Sequence, residues 1–268
     1  MKKLLLLFVA IITMTGCQLT EEVTFNEDGS GTYNFVIDMS AMLSMKGESN
    51  KTDENGEVRK LEKKDSIIAM KDLLEKYKDS LKNLSPEEKA FMERMKNATM
   101  RMQVDEEAGQ MIMTYSLPFN SVEDLGNISE DFREIDKLKK EESGKTGKSP
   151  MDEMFAGMKN TKVSYEFSRH KFSRKMTIIK EKEAVQEKKD NENNESSDKE
   201  DDEKIDKDMA EMMKMFTYKI VYHFPRKIKS VTYKDAMLGT DGKTLIIETT
   251  LDKMDKDPGL LQFDVIFE

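Results

Sequence analysis

Cys17 is the sole cysteine of the chain, and His170 and His223 are its two histidines. A lone thiol can attack a substrate, ligate a metal or carry a covalent modification. Its setting favours the third use, because it closes an apolar N-terminal run in the order Met14-Thr15-Gly16-Cys17. A chain with one cysteine has no internal disulfide partner. Neither histidine stands in an HxxxH or HExxH spacing, so zinc chemistry has little basis. No Gly-x-Ser-x-Gly elbow exists to present a serine nucleophile. Gly144-Lys145-Thr146 resembles the end of a phosphate loop, but the glycine needed five positions earlier is Lys139. The carboxylates from Asp198 to Glu203 lack the alternating ligands and turn glycine of a calcium loop. Asn26-Glu27-Asp28-Gly29 comes nearer, yet Thr24 stands where the first ligand belongs, so it reads as a turn. No catalytic, cofactor-binding or metal residue is assigned, and the chain is read as a non-enzyme.

Lys2 and Lys3 precede an apolar stretch from Leu4 to Met14 that ends in small residues, the order of an export signal. The stretch is too short to span a bilayer, which takes roughly 20 apolar residues. Met14-Thr15-Gly16-Cys17 resembles the lipobox of bacterial lipoproteins, with methionine where leucine is usual. The resemblance implies removal of residues 1–16 and a diacylglyceryl thioether on Cys17, with an N-acyl chain besides. Two or more acyl chains give a stable anchor where one gives marginal binding. The implied partner is a lipid bilayer and the implied address the bacterial cell envelope, with the outer membrane as the membrane concerned. Glu21-Glu22 soon after the cysteine is similar to the acidic stretch that marks surface export in Bacteroidota lipoproteins, and the overall pattern resembles uncharacterised members of that group.

Residues 17–268 suffice for a single domain. Within them, residues 181–207 hold twelve acidic and six basic side chains and few apolar ones, too little apolar area to offset ordering entropy. This stretch is read as a disordered acidic insertion. The formal net charge is -9, and no basic stripe with stacking aromatics appears, which argues against nucleic acid as a partner.

The elements that would position any site are read from periodicity. Val23 and Phe25 alternate with polar residues, as do Tyr33, Phe35 and Ile37, and Asp28-Gly29 lies between them; the pattern predicts a hairpin of Glu21 to Phe25 and Thr32 to Met39. A strand from Glu21 leaves a linker of at most about 15 Å to Cys17 and holds the domain against the bilayer. Ile67, Met70, Leu74, Tyr77 and Leu81 recur at helical steps. Ser85-Pro86-Glu87-Glu88 opens a second helix with Phe91, Met92 and Met95 on its buried face. Met100 to Val104 and Met111 to Leu117 predict a second hairpin, and Val163 to Phe167 with Met176 to Ile178 a third strand pair around His170-Lys171. Ile128, Phe132, Ile135 and Leu138 suggest a further helix. Tyr218 to Phe224, Ile228 with Val231, Leu245 to Ile247 and Leu261 to Phe267 also alternate, with Asp241-Gly242 as a turn. The expected fold class is α+β: a largely antiparallel sheet built from hairpins, with amphipathic helices on one face.

Methionine is abundant, at 22 residues, and tryptophan absent. Met39 to Leu43, Met151 to Phe155 and Met209 to Met213 form similar stripes. Methionine packs irregular core gaps, and the same plasticity suits a groove or cavity for a lipid, peptide or partner helix. Thioethers also favour Cu(I), and Met92-x-x-Met95, Met100-x-Met102, Met111-x-Met113 and Met213-x-Met215 are similar in spacing to methionine-rich copper carriers. The stretch His223-Phe224-Pro225-Arg226-Lys227-Ile228, with Asp241 to Leu245 and the hairpin after Cys17, resembles LppM-type lipoprotein domains. That resemblance implies a membrane-tethered domain with lipid binding. The leading expectation is a non-enzymatic envelope binding or assembly module with an envelope protein or lipid as partner. A carrier of apolar ligands with a methionine-lined cavity is the alternative, ahead of Cu(I) binding or an envelope hydrolase.

Overall fold

A computed structural model describes residues 17–41, 61–76, 86–126, 161–178 and 216–268. In chain order, the strands are β1 (Gln18–Phe25), β2 (Gly31–Asp38), β3 (Lys63–Ala69), β4 (Thr99–Asp105), β5 (Gln110–Phe119), β6 (Thr161–Phe167), β7 (Lys171–Ile178), β8 (Thr217–His223), β9 (Ile228–Val231), β10 (Met237–Leu238), β11 (Thr244–Thr250) and β12 (Phe263–Phe267). The helices are α1 (Met70–Lys76), α2 (Pro86–Met95), α3 (Val122–Gly126) and α4 (Leu251–Lys256). Eight strands form one sheet in the order β10-β11-β8-β1-β2-β5-β4-β3, and four form another in the order β6-β7-β12-β9.

The expected α+β class with helices covering a sheet face is overturned: strands make up 53% of the described residues and helices 18%, and side chains of the two sheets pack on each other. The physical reason lies in the period of the covering elements. Phe263, Val265 and Phe267 recur at steps of two along β12 and, with Phe172 of β7, are 0–3% exposed against the large sheet, the spacing of a covering strand. Phe25 meets Phe172 at 5.1 Å and stacks on Phe224 at 5.2 Å between centroids, and Phe172 meets Tyr222 edge-on at 5.6 Å. Such ring pairs add about 0.5–1.5 kcal/mol each beyond their burial. The helices are five to ten residues long, and α2 contributes Phe91 and Met95 to one end of the core.

The first hairpin forms as expected, with Gly29 at φ +85° in its turn and pairing from Gln18↔Asp38 to Phe25↔Gly31. The hairpin of β4 and β5 and the pair β6–β7 also form in the expected places. Two local expectations change. β1 begins at Gln18, so the spacer expected between Cys17 and the first strand does not exist. Ile67 lies in β3, which pairs with β4 over its whole length; the helical pattern begins only at Met70. The run Ser66-Ile67-Ile68 is β-branched at its centre, and cross-strand pairing there overrides a short three-and-four spacing. Among the described pairs, β1–β8 is parallel and the others are antiparallel. Residues 1–16, Tyr77, Leu81, Ser85, the helix expected at Ile128 to Leu138, the Gly144 connector, the stripes at Met151 and Met209 and the acidic insertion at 181–207 lie outside the described residues.

Candidate functional site: a buried carboxylate between the sheets

Along β1 the odd positions Leu19, Glu21, Val23 and Phe25 all face inward. Glu21 therefore places a carboxylate in an apolar stripe, where it is 3% exposed. On β7 the same alternation puts Arg174 between Phe172 and Met176, also 3% exposed. Burial of an ion costs several kcal/mol unless it is paired and hydrogen-bonded. Here it is: Arg174 Nη2 lies 3.3 Å from Glu21 Oε2.

Three phenols complete the shell. Tyr218 Oη donates to Oε2 at 2.5 Å and Tyr165 Oη to Oε1 at 3.3 Å, while Tyr222 Oη also donates to Oε1. A carboxylate has about four lone-pair sites, and all four are taken. Arg174 Nη1 donates to the Leu261 carbonyl at 2.8 Å, and its Nε makes no hydrogen bond among the described residues. The guanidinium also sits 6.0 Å from the centroid of the Tyr165 ring.

Burial raises the pKa values of Tyr33, Tyr165, Tyr218 and Tyr222, and the Glu21 charge raises them further. The phenols thus remain neutral donors. Burial, the largest single influence, opposes the charge on Arg174, but Glu21 together with Tyr222, Tyr165 and Tyr218 outweighs it and holds the guanidinium pKa well above its ordinary value. Both oxygens of the carboxylate are thus occupied by donors from within the fold. The arrangement works as a bolt that joins β1 and β8 to β6 and β7.

A second polar chain runs across the outer face of the large sheet. Asp241 Oδ1 accepts from the backbone N–H groups of Lys243 and Thr244 at 2.9 and 3.0 Å, and Oδ2 accepts from the Thr244 hydroxyl at 2.7 Å. Those bonds hold the Asp241 carboxyl below its usual pKa. With its hydroxyl so directed, Thr244 Oγ1 receives His223 Nδ1 at 3.0 Å, and His223 Nε2 lies 3.3 Å from Glu22 Oε1. Asn34 Nδ2 donates to the other oxygen of Glu22 at 3.3 Å. The order Glu22–His223–Thr244 has the residue types of a hydrolytic triad, but the threonine hydroxyl already donates to Asp241. It laces β1 to β2, β8 and β11.

His170 is exposed in the β6–β7 turn, where its carbonyl accepts from Phe267 N at 3.0 Å, so the two histidines serve different turns and strands. Cys17 faces the inner side, fully buried, and its carbonyl accepts from Thr217 N at 3.0 Å. Among the described residues no group of three or more His, Cys, Asp or Glu side chains is placed to hold a metal ion. Met95 is buried and accepts from the Tyr115 hydroxyl at 2.9 Å. Met39, Met70, Met92, Met113, Met176 and Met254 pack partly buried against the same core.

Sequence reasoning located most of the strands but gave Glu21 no place in a site and passed over Arg174. The signal was present: each is a charge at an inward position of an alternating apolar strand.

The fold and its polar groups define a β-rich two-sheet protein with a closed internal ion pair. No protein-family model matches the chain, and no curated protein does. Among solved structures, it is similar to the NMR structure of the folded domain of LppM from Mycobacterium tuberculosis, at 5% identity over 94% of this chain and 89% of that one, with a TM-score of 0.34.

Proposed function

We propose that the chain is an envelope lipoprotein, anchored to a bilayer through acylated Cys17 and acting without catalysis as a binding or assembly module at the membrane surface. The observation that carries this reading is Met14-Thr15-Gly16-Cys17 behind a charged and apolar leader, abutting a strand that starts at Gln18. Cleavage before Cys17 would leave it as the first residue, secured to β8 through its carbonyl, and acylation would require its thiol, buried on the inner side here, to turn outward at the start of β1.

The opposite end then faces away from the membrane. Its turns are tied together: Arg226 donates to the Ser168 and Arg169 carbonyls at 3.3 and 2.9 Å and pairs with Glu27, and Lys243 Nζ donates to the Pro225 carbonyl at 2.7 Å. A rigid tip of this kind presents a fixed surface to an envelope protein. The bolt at Glu21 supports the non-catalytic part of the reading, because both Glu21 oxygens are taken by donors from the fold.

The test is incorporation of an alkyne-bearing palmitate in cells, followed by mass spectrometry of the mature N-terminus. Label on the wild type and none on Cys17→Ala is the expected result; label on both, or on neither, sinks the anchor. Capture from detergent-solubilised membranes should return the same partner with wild type and with His170→Ala or His223→Ala. Loss of capture on either histidine change would point to chemistry at that side chain.

A further inference from the structure

We infer that β1 is a shear clamp: a pull on its N-terminal end, directed along the strand, is resisted at once by both neighbouring strands and by the second sheet. The inference rests on the anchor reading for where the pull comes from, and on geometry for the resistance. β1 is an interior strand of the large sheet, paired over all eight residues with β2 and from Gln18↔Thr217 to Thr24↔His223 with β8. The bonds to β2 run perpendicular to the strands and those to β8 slant across them. Tension along β1 therefore strains both sets together, whereas β3, at the edge, is held among the described strands by β4 alone.

Side chains lock the register on both faces. Inside, Glu21 takes donors from β6, β7 and twice from β8. Outside, Glu22 holds Asn34 of β2 and His223 of β8, and Gln18 Nε2 reaches Thr217 Oγ1 at 3.5 Å. A slip of one residue would turn Glu21 outward and bring Thr20 or Glu22 into the core, so the strand cannot creep by small steps. The first residues after the lipid-bearing position are thus the ones most firmly held. A module that links a membrane to a second envelope structure needs this property when the two move apart.

The experiment is constant-force unfolding of the full chain without lipid, with one handle at residue 268 (Glu268→Cys) and the other at residue 18 (Cys17→Ser with Gln18→Cys) or at residue 67 (Cys17→Ser with Ile67→Cys). Forced unfolding reads the unfolding rate directly, and that rate should be on the order of tenfold lower or more when the pull enters at residue 18 than at residue 67. Glu21→Gln, which cannot accept at both oxygens, should raise the rate from residue 18 by about tenfold and the rate from residue 67 by less. Equal rates from the two handles overturn the clamp. If Glu21→Gln does not fold, Asn34→Ala with His223→Ala cuts the outer ties instead, and no change in the rate from residue 18 overturns the clamp equally. Because the chain carries no lipid, a failed clamp leaves the palmitate result standing, and a failed anchor leaves the clamp intact.

Discussion

The Glu21 carboxylate and the Arg174 guanidinium, 153 residues apart in the chain, meet at 3.3 Å between two sheets. A buried pair is poor evidence of net stability, but removing one member strands the other's charge, at a cost of about 3–5 kcal/mol. Glu21→Leu strands Arg174 and three phenols together, so it should cost at the upper end of that range. Arg174→Met leaves the carboxylate three hydroxyl donors and should cost less. Joined in one chain, the two changes should destabilise by less than their sum, with a coupling of about 0.5–3 kcal/mol. Urea denaturation of the four proteins measures this, and a Glu21→Leu loss under about 1 kcal/mol would contradict the bolt.

Tyr33, Tyr165, Tyr218 and Tyr222 carry folded-state pKa values above the ordinary tyrosine value of 10.0, by burial first and the Glu21 charge second. A raised pKa means the folded state holds its phenolic protons where the unfolded state releases them. The resulting stability is fully present below about pH 10 and falls as pH climbs toward the folded values. Alkaline titration followed by phenolate absorbance should therefore show these four of the 7 tyrosines ionising only as the fold is lost. Coincidence of the late absorbance step with loss of near-ultraviolet circular dichroism is the expected outcome; smooth ionisation of all tyrosines in a folded protein would refute it.

Period-two alternation made β1, β2, β4 to β8, β11 and β12 legible, because a half-buried strand must alternate. The partner of each sheet face was not legible. Phe263, Val265 and Phe267 announce an inward face without saying what it faces, and helices were assigned the role that β7 and β12 fill. The parallel β1–β8 pair joins segments about 200 residues apart, as Tyr218 and Glu21 show, and no local signal encodes such a contact. Glu21 was visible in part: its neighbour Glu22 is polar-side and half exposed, and only the parity of the strand separates them. Reading Glu21-Glu22 as one acidic export mark treated two residues on opposite faces as one feature.

Gly31 opens β2 where a β-carbon would lie 2.0 Å from the Thr24 carbonyl oxygen and 2.5 Å from the Phe119 ring. The obstacle is backbone, which cannot swing aside. Gly31→Ala should destabilise by about 1–3 kcal/mol or more through forced separation of β1 and β2. Gly109 provides the contrast, with φ +64° and nothing within 4 Å of its added carbon. Gly109→Ala should cost only the left-handed backbone penalty, about 1–2 kcal/mol, and leave the core spectroscopically unchanged. Near-ultraviolet circular dichroism separates the two: a Gly31→Ala spectrum identical to wild type would show that the hairpin absorbs the clash.

β3 forms one edge of the large sheet, and among the described strands it pairs only with β4. Ile67 on its outer face is 68% exposed and Ile68 on its inner face 37% exposed, while charges at Lys63, Lys64 and Asp65 occupy only its first half. Exposed edges with branched apolar side chains template further strand pairing, and a lysine there opposes it. Ile67→Lys removes little buried area, so its effect on stability should stay within about 0.5 kcal/mol. Its effect should appear in association instead, as less concentration-dependent light scattering and slower aggregation on storage. A lysine at position 67 that unfolds the protein would mean that Ile67 is packed in solution, and one that leaves association unchanged would mean that this edge is already covered.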